Sequence, residues 1–234
     1  IVASCAQTDP KGDRRFRPGE QSDPDQHLRV VERRADGVVV RGAKLHNTMS
    51  PYADEIIAIP TRALLKTETD YAIAFAIPAD TEGVYLIGRK ATYGHRDAGM
   101  EAPIADYGDI ESFTVFDDVF VPNERIFLNG ETDMGGNLAL LFALYHRHSY
   151  CGCKPGIGDI LMGTTALMAD YLGIEKMGHV KEKLAEMISV CELVFAAGIA
   201  ASIESTKAPS GTQVPNVVYA NVGRRHAGHN IYHE

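Results

Sequence analysis

At 234 residues, with 45% hydrophobic and 23% charged side chains, the chain holds material for one large domain or two ordinary ones. A formal net charge of −8 argues against nucleic acid as a main partner, and no apolar run is read as a membrane span or signal peptide. Four cysteines, Cys5, Cys151, Cys153 and Cys191, are too few and too irregular for a disulfide framework, so a reducing, cytoplasmic setting is expected.

Residues 1–128 read as β-rich. Gln7-Thr8-Asp9-Pro10-Lys11-Gly12-Asp13-Arg14 has the Asp, Pro and Gly of a loop. Short β-branched and aromatic runs follow at 27–33, 38–44, 55–60, 71–77, 83–87 and 112–122, and the Asp36-Gly37 pair is a strong hairpin signal. The expectation is an antiparallel sandwich or barrel, with 88–110 as a long loop. Asp117-Asp118 reads as a turn pair before a strand rather than a catalytic dyad.

From residue 129 the period changes to that of a helical bundle, so the fold class is α+β. Helices are expected at 134–153, 157–173, 179–205 and 214–234, with the first break at Pro155-Gly156. In the third, Val180, Leu184, Met187, Ile188, Cys191, Val194 and Phe195 form an apolar stripe that is core or subunit interface. Arg224, Arg225, His226 and His229 are read as a solvated helix face. The chain starts at Ile1 without a start methionine and stops at Glu234 with no terminating signal, so an internal piece of a longer protein is expected.

One stretch carries chemistry: Tyr145-His146-Arg147-His148-Ser149-Tyr150-Cys151-Gly152-Cys153-Lys154. On a helix, His146, Tyr150 and Cys153 fall at i, i+4 and i+7 and share one face, with Lys154 on its flank. Imidazole, phenol, thiol and amine on one stripe suit a polar cavity with a metal centre or reacting substrate. The plainer reading is a satisfied histidine beside an inert thiol. His-x6-Cys supplies only two ligands, where zinc and iron–sulfur sites usually take four.

Val38-Val39-Val40-Arg41-Gly42-Ala43-Lys44-Leu45-His46-Asn47-Thr48 resembles the G-x-K-x-x-x-T segment of flavin enzymes of acyl-CoA dehydrogenase type, in which a β-domain precedes a helical bundle. Residues 71–83 and 115–127 are similar to the 4-hydroxyphenylacetate 3-hydroxylase branch of that fold. Ala6-Gln7-Thr8-Asp9-Pro10-Lys11-Gly12-Asp13-Arg14 and the 145–154 stretch resemble its 4-hydroxybutyryl-CoA dehydratase/vinylacetyl-CoA Δ-isomerase members. The likeness covers essentially the whole chain. It implies a flavin-binding β-domain over 1–128 and the first part of a C-terminal helical bundle over 129–234.

The resemblance implies FAD and a 4Fe–4S cluster held by three Cys and one His. His146 and Cys153 match two of those ligands, and the other two Cys belong upstream of Ile1. Cys5 matches no ligand position, and Cys151 stands where a small residue is expected. Thr48 falls where a hydroxyl meets the flavin, Gln7, Thr8 and Lys11 are carried as further cofactor contacts, and Lys11 to Arg17 is equally a solvated basic loop. Glu111, Tyr150, Lys154 and His146 match catalytic positions, with a further basic carboxylate beyond Glu234.

The implied reaction is dehydration of 4-hydroxybutyryl-CoA to crotonyl-CoA, with vinylacetyl-CoA isomerisation as a second activity. It removes a C–H that the thioester does not activate, which general acid–base help of about 10²–10⁴-fold does not supply alone. Flavin one-electron chemistry, with the cluster iron as Lewis acid, supplies the rest. A homotetramer is the implied assembly. The alternative within the fold is a reduced-flavin-dependent aromatic hydroxylase without a cluster. A non-catalytic oligomer partner is the reading from another class, and FAD binding separates it from both.

Overall fold

The computed structural model describes residues 1–89 and 110–230. Two compact units are present, Ile1–Ala139 and Leu140–Glu234. Apolar and β-branched runs give the first unit β1 (Ala3–Ala6), β2 (Arg29–Arg33), β3 (Gly37–Thr48), β4 (Glu55–Ala58), β5 (Ile73–Pro78), β6 (Val84–Gly88), β7 (Glu111–Pro122) and β8 (Ile126–Asn129). They form two four-stranded sheets, ordered β1-β4-β5-β8 and β2-β3-β7-β6.

The inner faces meet in one buried cluster. Val30, Val38, Val40, Phe116, Val119 and Val121 come from one sheet, and Ala6, Ile56, Ala58, Ile73, Phe75 and Ile77 from the other. Phe75 and Phe116 cross it edge to face, with centroids 5.7 Å apart at 89°. Each fully buried Val, Ile or Phe contributes about 1.5–3 kcal/mol, so this layer holds the sandwich together.

Two expectations change here. β1 pairs with β4 in parallel, while the other strand pairs of these sheets are antiparallel. No hairpin joins β1 to β4; the chain between them builds β2 and β3 of the other sheet, so no tight turn fixes their direction. Asp117 and Asp118 are not a turn before a strand but a bulge inside β7, where the register passes from Val40↔Val119 to Gly42↔Phe116. Asp118 adopts φ 53° and Arg41 forms a fork onto its carboxylate at 2.8–2.9 Å. Gly42 stands at the same break with φ 134°, and a Cβ there would lie 2.6 Å from the His27 carbonyl. Of the segment expected as a loop, residues 90–109 lie outside the described residues.

The helical unit also departs from expectation. The first two expected helices are one, α1 (Thr132–Tyr171), running through Pro155. Proline removes the hydrogen bond to the Cys151 carbonyl. The helix continues past it with packing on both sides: Cys151 and Gly158 are both buried against α2 (Gly178–Ile203). A two-stranded hairpin, β9 (Thr206–Lys207) with β10 (Gln213–Val214), leads to α3 (Val217–Asn230).

Small residues bring the three helices together. Leu144 meets Ala201 and Ala220, and Cys151 meets Val194 and Ala227. The apolar stripe of α2 is buried only at Cys191 and Val194, while Ile188 and Phe195 remain half exposed. By length and composition α2 is apolar enough to cross a membrane, which corrects the sequence reading. The charges of its early turns, Lys181, Glu182, Lys183 and Glu186, obscure an apolar remainder.

Candidate active site

In the β-unit the candidate residues gather where β3 ends and β7 begins. Thr48 and Glu111 are register partners, and the Thr48 hydroxyl donates to Glu111 Oε1 at 2.8 Å. Glu111 Oε2 is buried with no hydrogen-bond partner among the described residues. A polar scaffold fixes this corner from beneath. Ser4 Oγ donates to the Thr48 carbonyl at 2.9 Å, and the Thr114 hydroxyl donates to the buried Asn47 Oδ1 at 2.9 Å. Met49, next in the chain, takes a left-handed φ of 62° and turns the backbone out of the strand.

The Gln7–Lys11 loop is held to the same strand. Leu45 N–H donates to the Thr8 carbonyl at 2.9 Å, and Gln7 Nε2 approaches the Ala139 carbonyl at 3.4 Å. Lys11 is exposed. In the adjoining basic stretch, Arg15 pairs with Asp13 and Arg17 with Glu68, so two of its charges are already matched within the unit. Cys5 lies in β1, and burial pushes its thiol up to about 11 against the opposing charge of Lys44.

The groups behind this loop carry no role in the sequence reading, where Lys44 appears only as the lysine of the G-x-K-x-x-x-T segment. Lys44 is 3% exposed, with its ammonium on Asp9 Oδ1 at 2.6 Å. The buried His27 faces the same carboxylate, Nδ1 to Oδ2 at 4.0 Å. The available signal was a lysine inside an apolar strand run, which requires a buried partner.

In the helical unit the stripe stands as spaced, because α1 continues past Lys154. His146 stacks on Phe142 one turn earlier, centroids 5.9 Å apart and planes 9° from parallel. The Tyr150 ring lies under two cations, Lys154 Nζ at 5.0 Å and Arg224 at 5.9 Å from α3. Arg224 therefore does more than line a solvated face. His226 is half-buried, with Nδ1 facing the Asn230 amide at 3.1 Å.

The two neighbouring thiols have opposite settings. Cys153 is exposed on the His146 side, about 20° from it around the axis, whereas Cys151 lies about 140° away. Cys151 is 1% exposed, and a Cβ on Gly223 would lie 2.5 Å from its sulfur. Burial raises the thiols of Cys151 and Cys191, as expected of packing residues. A cavity of about 250 Å³ opens on the Cys151 side, lined by His148, Phe195, Gly198 and Ile199, and not on the stripe.

Over residues 1–128 the chain matches the family described as 4-hydroxyphenylacetate 3-hydroxylase N terminal, and over 136–234 its C-terminal counterpart. The chain belongs to the 4-hydroxyphenylacetate 3-hydroxylase family. Within it, the chain is 44% identical over 95% of its length to a 4-hydroxybutyryl-CoA dehydratase/vinylacetyl-CoA-Δ-isomerase of Clostridium aminobutyricum, covering 46% of that protein. An oxygen-tolerant archaeal 4-hydroxybutyryl-CoA dehydratase from N. maritimus superposes with a TM-score of 0.90 at 40% identity, over 96% of this chain and 45% of that one. The oxygenase component of 4-hydroxyphenylacetate 3-monooxygenase, solved with FAD, gives 0.85 at 31%, over 94% and 46%. Butyryl-CoA dehydrogenase from Megasphaera elsdenii, at 18% identity and TM-score 0.66, shows the acyl-CoA dehydrogenase-like fold alone. The chain spans about half the length of the relatives it matches.

The donor set fits the cofactors of the family resemblance in part. Seven residues rise about 10 Å along a helix, so His146 and Cys153 suit a multi-iron centre better than one ion bound at about 2.0–2.3 Å. Among the described residues no group of three or more His, Cys, Asp or Glu gathers for a metal, so these two would be part of a larger set. On the β-unit, the unpartnered Glu111 Oε2 and the exposed Thr48 leave polar capacity for a bound group.

Proposed function

We propose that this chain is part of a flavin and iron–sulfur enzyme that dehydrates 4-hydroxybutyryl-CoA to crotonyl-CoA and isomerises vinylacetyl-CoA. The observation carrying the reading is the gap in likeness inside the family, 40% identity and TM-score 0.90 to a dehydratase against 31% and 0.85 to the hydroxylase. The polar stripe of α1 supports it, since a hydroxylase without a cluster gives His146 and Cys153 no joint task.

In this proposal residues 1–128 are a flavin-binding β-domain, and 129–234 the first part of a C-terminal helical bundle. Gln7, Thr8, Lys11 and Thr48 hold FAD, and His146 and Cys153 are two ligands of a 4Fe–4S cluster. When bound, the flavin would supply one-electron oxidation and reduction, and the cluster a Lewis-acidic iron for the C4 hydroxyl.

The side chains have separable tasks. His146, stacked on Phe142, would take the proton from C3 only with its imidazole released from the iron, since a ligated nitrogen has no lone pair to offer. Tyr150 donates a hydrogen bond to the substrate, its ring kept in place by Lys154 and Arg224. Lys154 and Glu111 polarise the thioester carbonyl or hold the hydroxyl. An ammonium does the first and a carboxylate the second most directly.

The assembly is proposed to be a homotetramer working in the cytoplasm. Ile188, Phe195, Ile199 and Ile203 of α2 are 47–75% exposed and share one side of the helix, an extended apolar face of the kind subunits cover. Anaerobic assay of the full-length protein with 4-hydroxybutyryl-CoA tests the function. Crotonyl-CoA is the expected product, and none with flavin and iron both bound would overturn the reading.

A further inference from the structure

Gln7, Thr8 and Lys11 belong to a short irregular segment, and a loop that contacts a ligand needs something rigid behind it. The structure supplies this through Lys44 of β3, whose three ammonium protons are all used. They go to the Gln7 carbonyl at 2.9 Å, to Asp9 Oδ1 at 2.6 Å and to the Ile59 carbonyl at 2.9 Å. Two of these acceptors are on the loop and the third is on the segment after β4, so one buried cation joins three pieces of chain. Thr61 completes the seat, donating to the Gln7 carbonyl at 2.5 Å and accepting from Asp9 N–H at 3.0 Å.

The arrangement is built for position rather than solvation. Lys44 is 3% exposed and the Asp9 side chain 10%, so neither charge is screened by water. His27 faces Asp9, and neither of its ring nitrogens has a hydrogen-bond partner among the described residues. A buried charge pair of this kind is costly to disrupt and fixes geometry when intact.

We infer that Lys44 is a positioning residue for flavin binding, setting the Gln7–Lys11 loop through Asp9 and the Gln7 carbonyl without touching the cofactor. This rests on the proposed reading that the loop holds FAD. The inference separates two lysines by role: Lys11, exposed, meets the ligand, and Lys44, buried, places the loop that carries it.

The test compares Lys44→Met, Asp9→Asn and Gln7→Ala in the full-length protein, reading the FAD dissociation constant by fluorescence titration, the visible circular dichroism of bound flavin, and kcat at saturating FAD. Lys44→Met is expected to weaken FAD at least about tenfold and alter the flavin dichroism, while kcat at saturation stays within about threefold, because charge-assisted hydrogen bonds set the loop and not the chemistry. Lys44→Arg, which keeps the charge, is expected to recover part of the affinity. Should Lys44→Met not fold, Asp9→Asn decides: it retains a neutral acceptor, and weaker FAD binding is again expected. Unchanged FAD affinity in folded Lys44→Met, or in Asp9→Asn, overturns the inference. If Gln7→Ala alone weakens FAD, the reading of the loop stands while the role of Lys44 falls; if none of the three does, both fall.

Discussion

The Thr48 hydroxyl donates to Glu111 Oε1 at 2.8 Å, joining the last residue of β3 to the first of β7. The sequence assigned these residues to different tasks, one to the cofactor and one to the substrate. The hydrogen bond makes them one unit: whatever orients the threonine orients the carboxylate, whose other oxygen has no partner among the described residues.

Thr48→Val keeps the shape and removes the donor. A hydrogen bond to a charged group is worth about 1.5–3 kcal/mol, so kcat/KM of the full-length enzyme, measured at saturating FAD because Thr48 is also a proposed flavin contact, is expected to fall by about 10- to 100-fold. Wild-type kcat/KM in Thr48→Val would remove Glu111 orientation from the account.

The two thiols of α1 give a second expectation. Cys153→Ser is expected to lose cluster iron and, compared with iron-free wild type, to change the unfolding temperature little, because Cys153 is exposed. Cys151→Ser is expected to keep the iron, since Cys151 packs against Gly198 and Gly223. Cys151→Leu overfills that seam and is expected to cost about 1–3 kcal/mol. Iron analysis beside thermal melts checks all three, and equal iron loss in the two serine variants contradicts the assignment.

The strand runs and the stripe were legible because each rests on local periodicity. Val38-Val39-Val40 is a strand for its β-branching, and 112–116 for its alternation of buried and half-buried side chains. Pro155 misled because a helix break was inferred from one residue, whereas Cys151 and Gly158 on either side are held by contacts far along the chain. The parallel β1–β4 pair and the Asp117-Asp118 bulge escaped for the same reason: both depend on which distant strand lies alongside. Lys44, read only as the lysine of the G-x-K-x-x-x-T segment, and His27 were assigned no role, since burial and not residue type gives them one.

His27 gives a pH expectation. Burial holds its imidazole below the usual 6.5, opposed by Asp9 and reinforced by Arg62 and Lys44. In that range the unfolded chain binds the proton more readily, so stability rises with pH. The contribution is full above 6.5 and is lost as pH falls through the folded value. Urea titrations between pH 7.5 and 5.5 are expected to show a smaller acid loss in His27→Gln than in wild type, taking about 6.5 as the unfolded reference. Identical slopes would mean that His27 is solvated or partnered.

The roles proposed for the stripe separate by readout. Tyr150→Phe is expected to keep iron and flavin and to lower kcat by about 10- to 100-fold, the scale of one positioned hydroxyl. His146→Ala is expected to lose iron and turnover together, since one side chain serves as ligand and base. Retained iron in His146→Ala would leave it only the proton-transfer role.

The central claim is that His146 and Cys153 bind iron for a dehydratase. The most direct measurement is iron and acid-labile sulfide on anaerobically purified full-length protein, taken on the same sample as turnover of 4-hydroxybutyryl-CoA. About four irons and matching sulfide per subunit, with crotonyl-CoA formed, is the result the account requires. Flavin without iron, together with oxygen-dependent hydroxylation of a phenol, would contradict it.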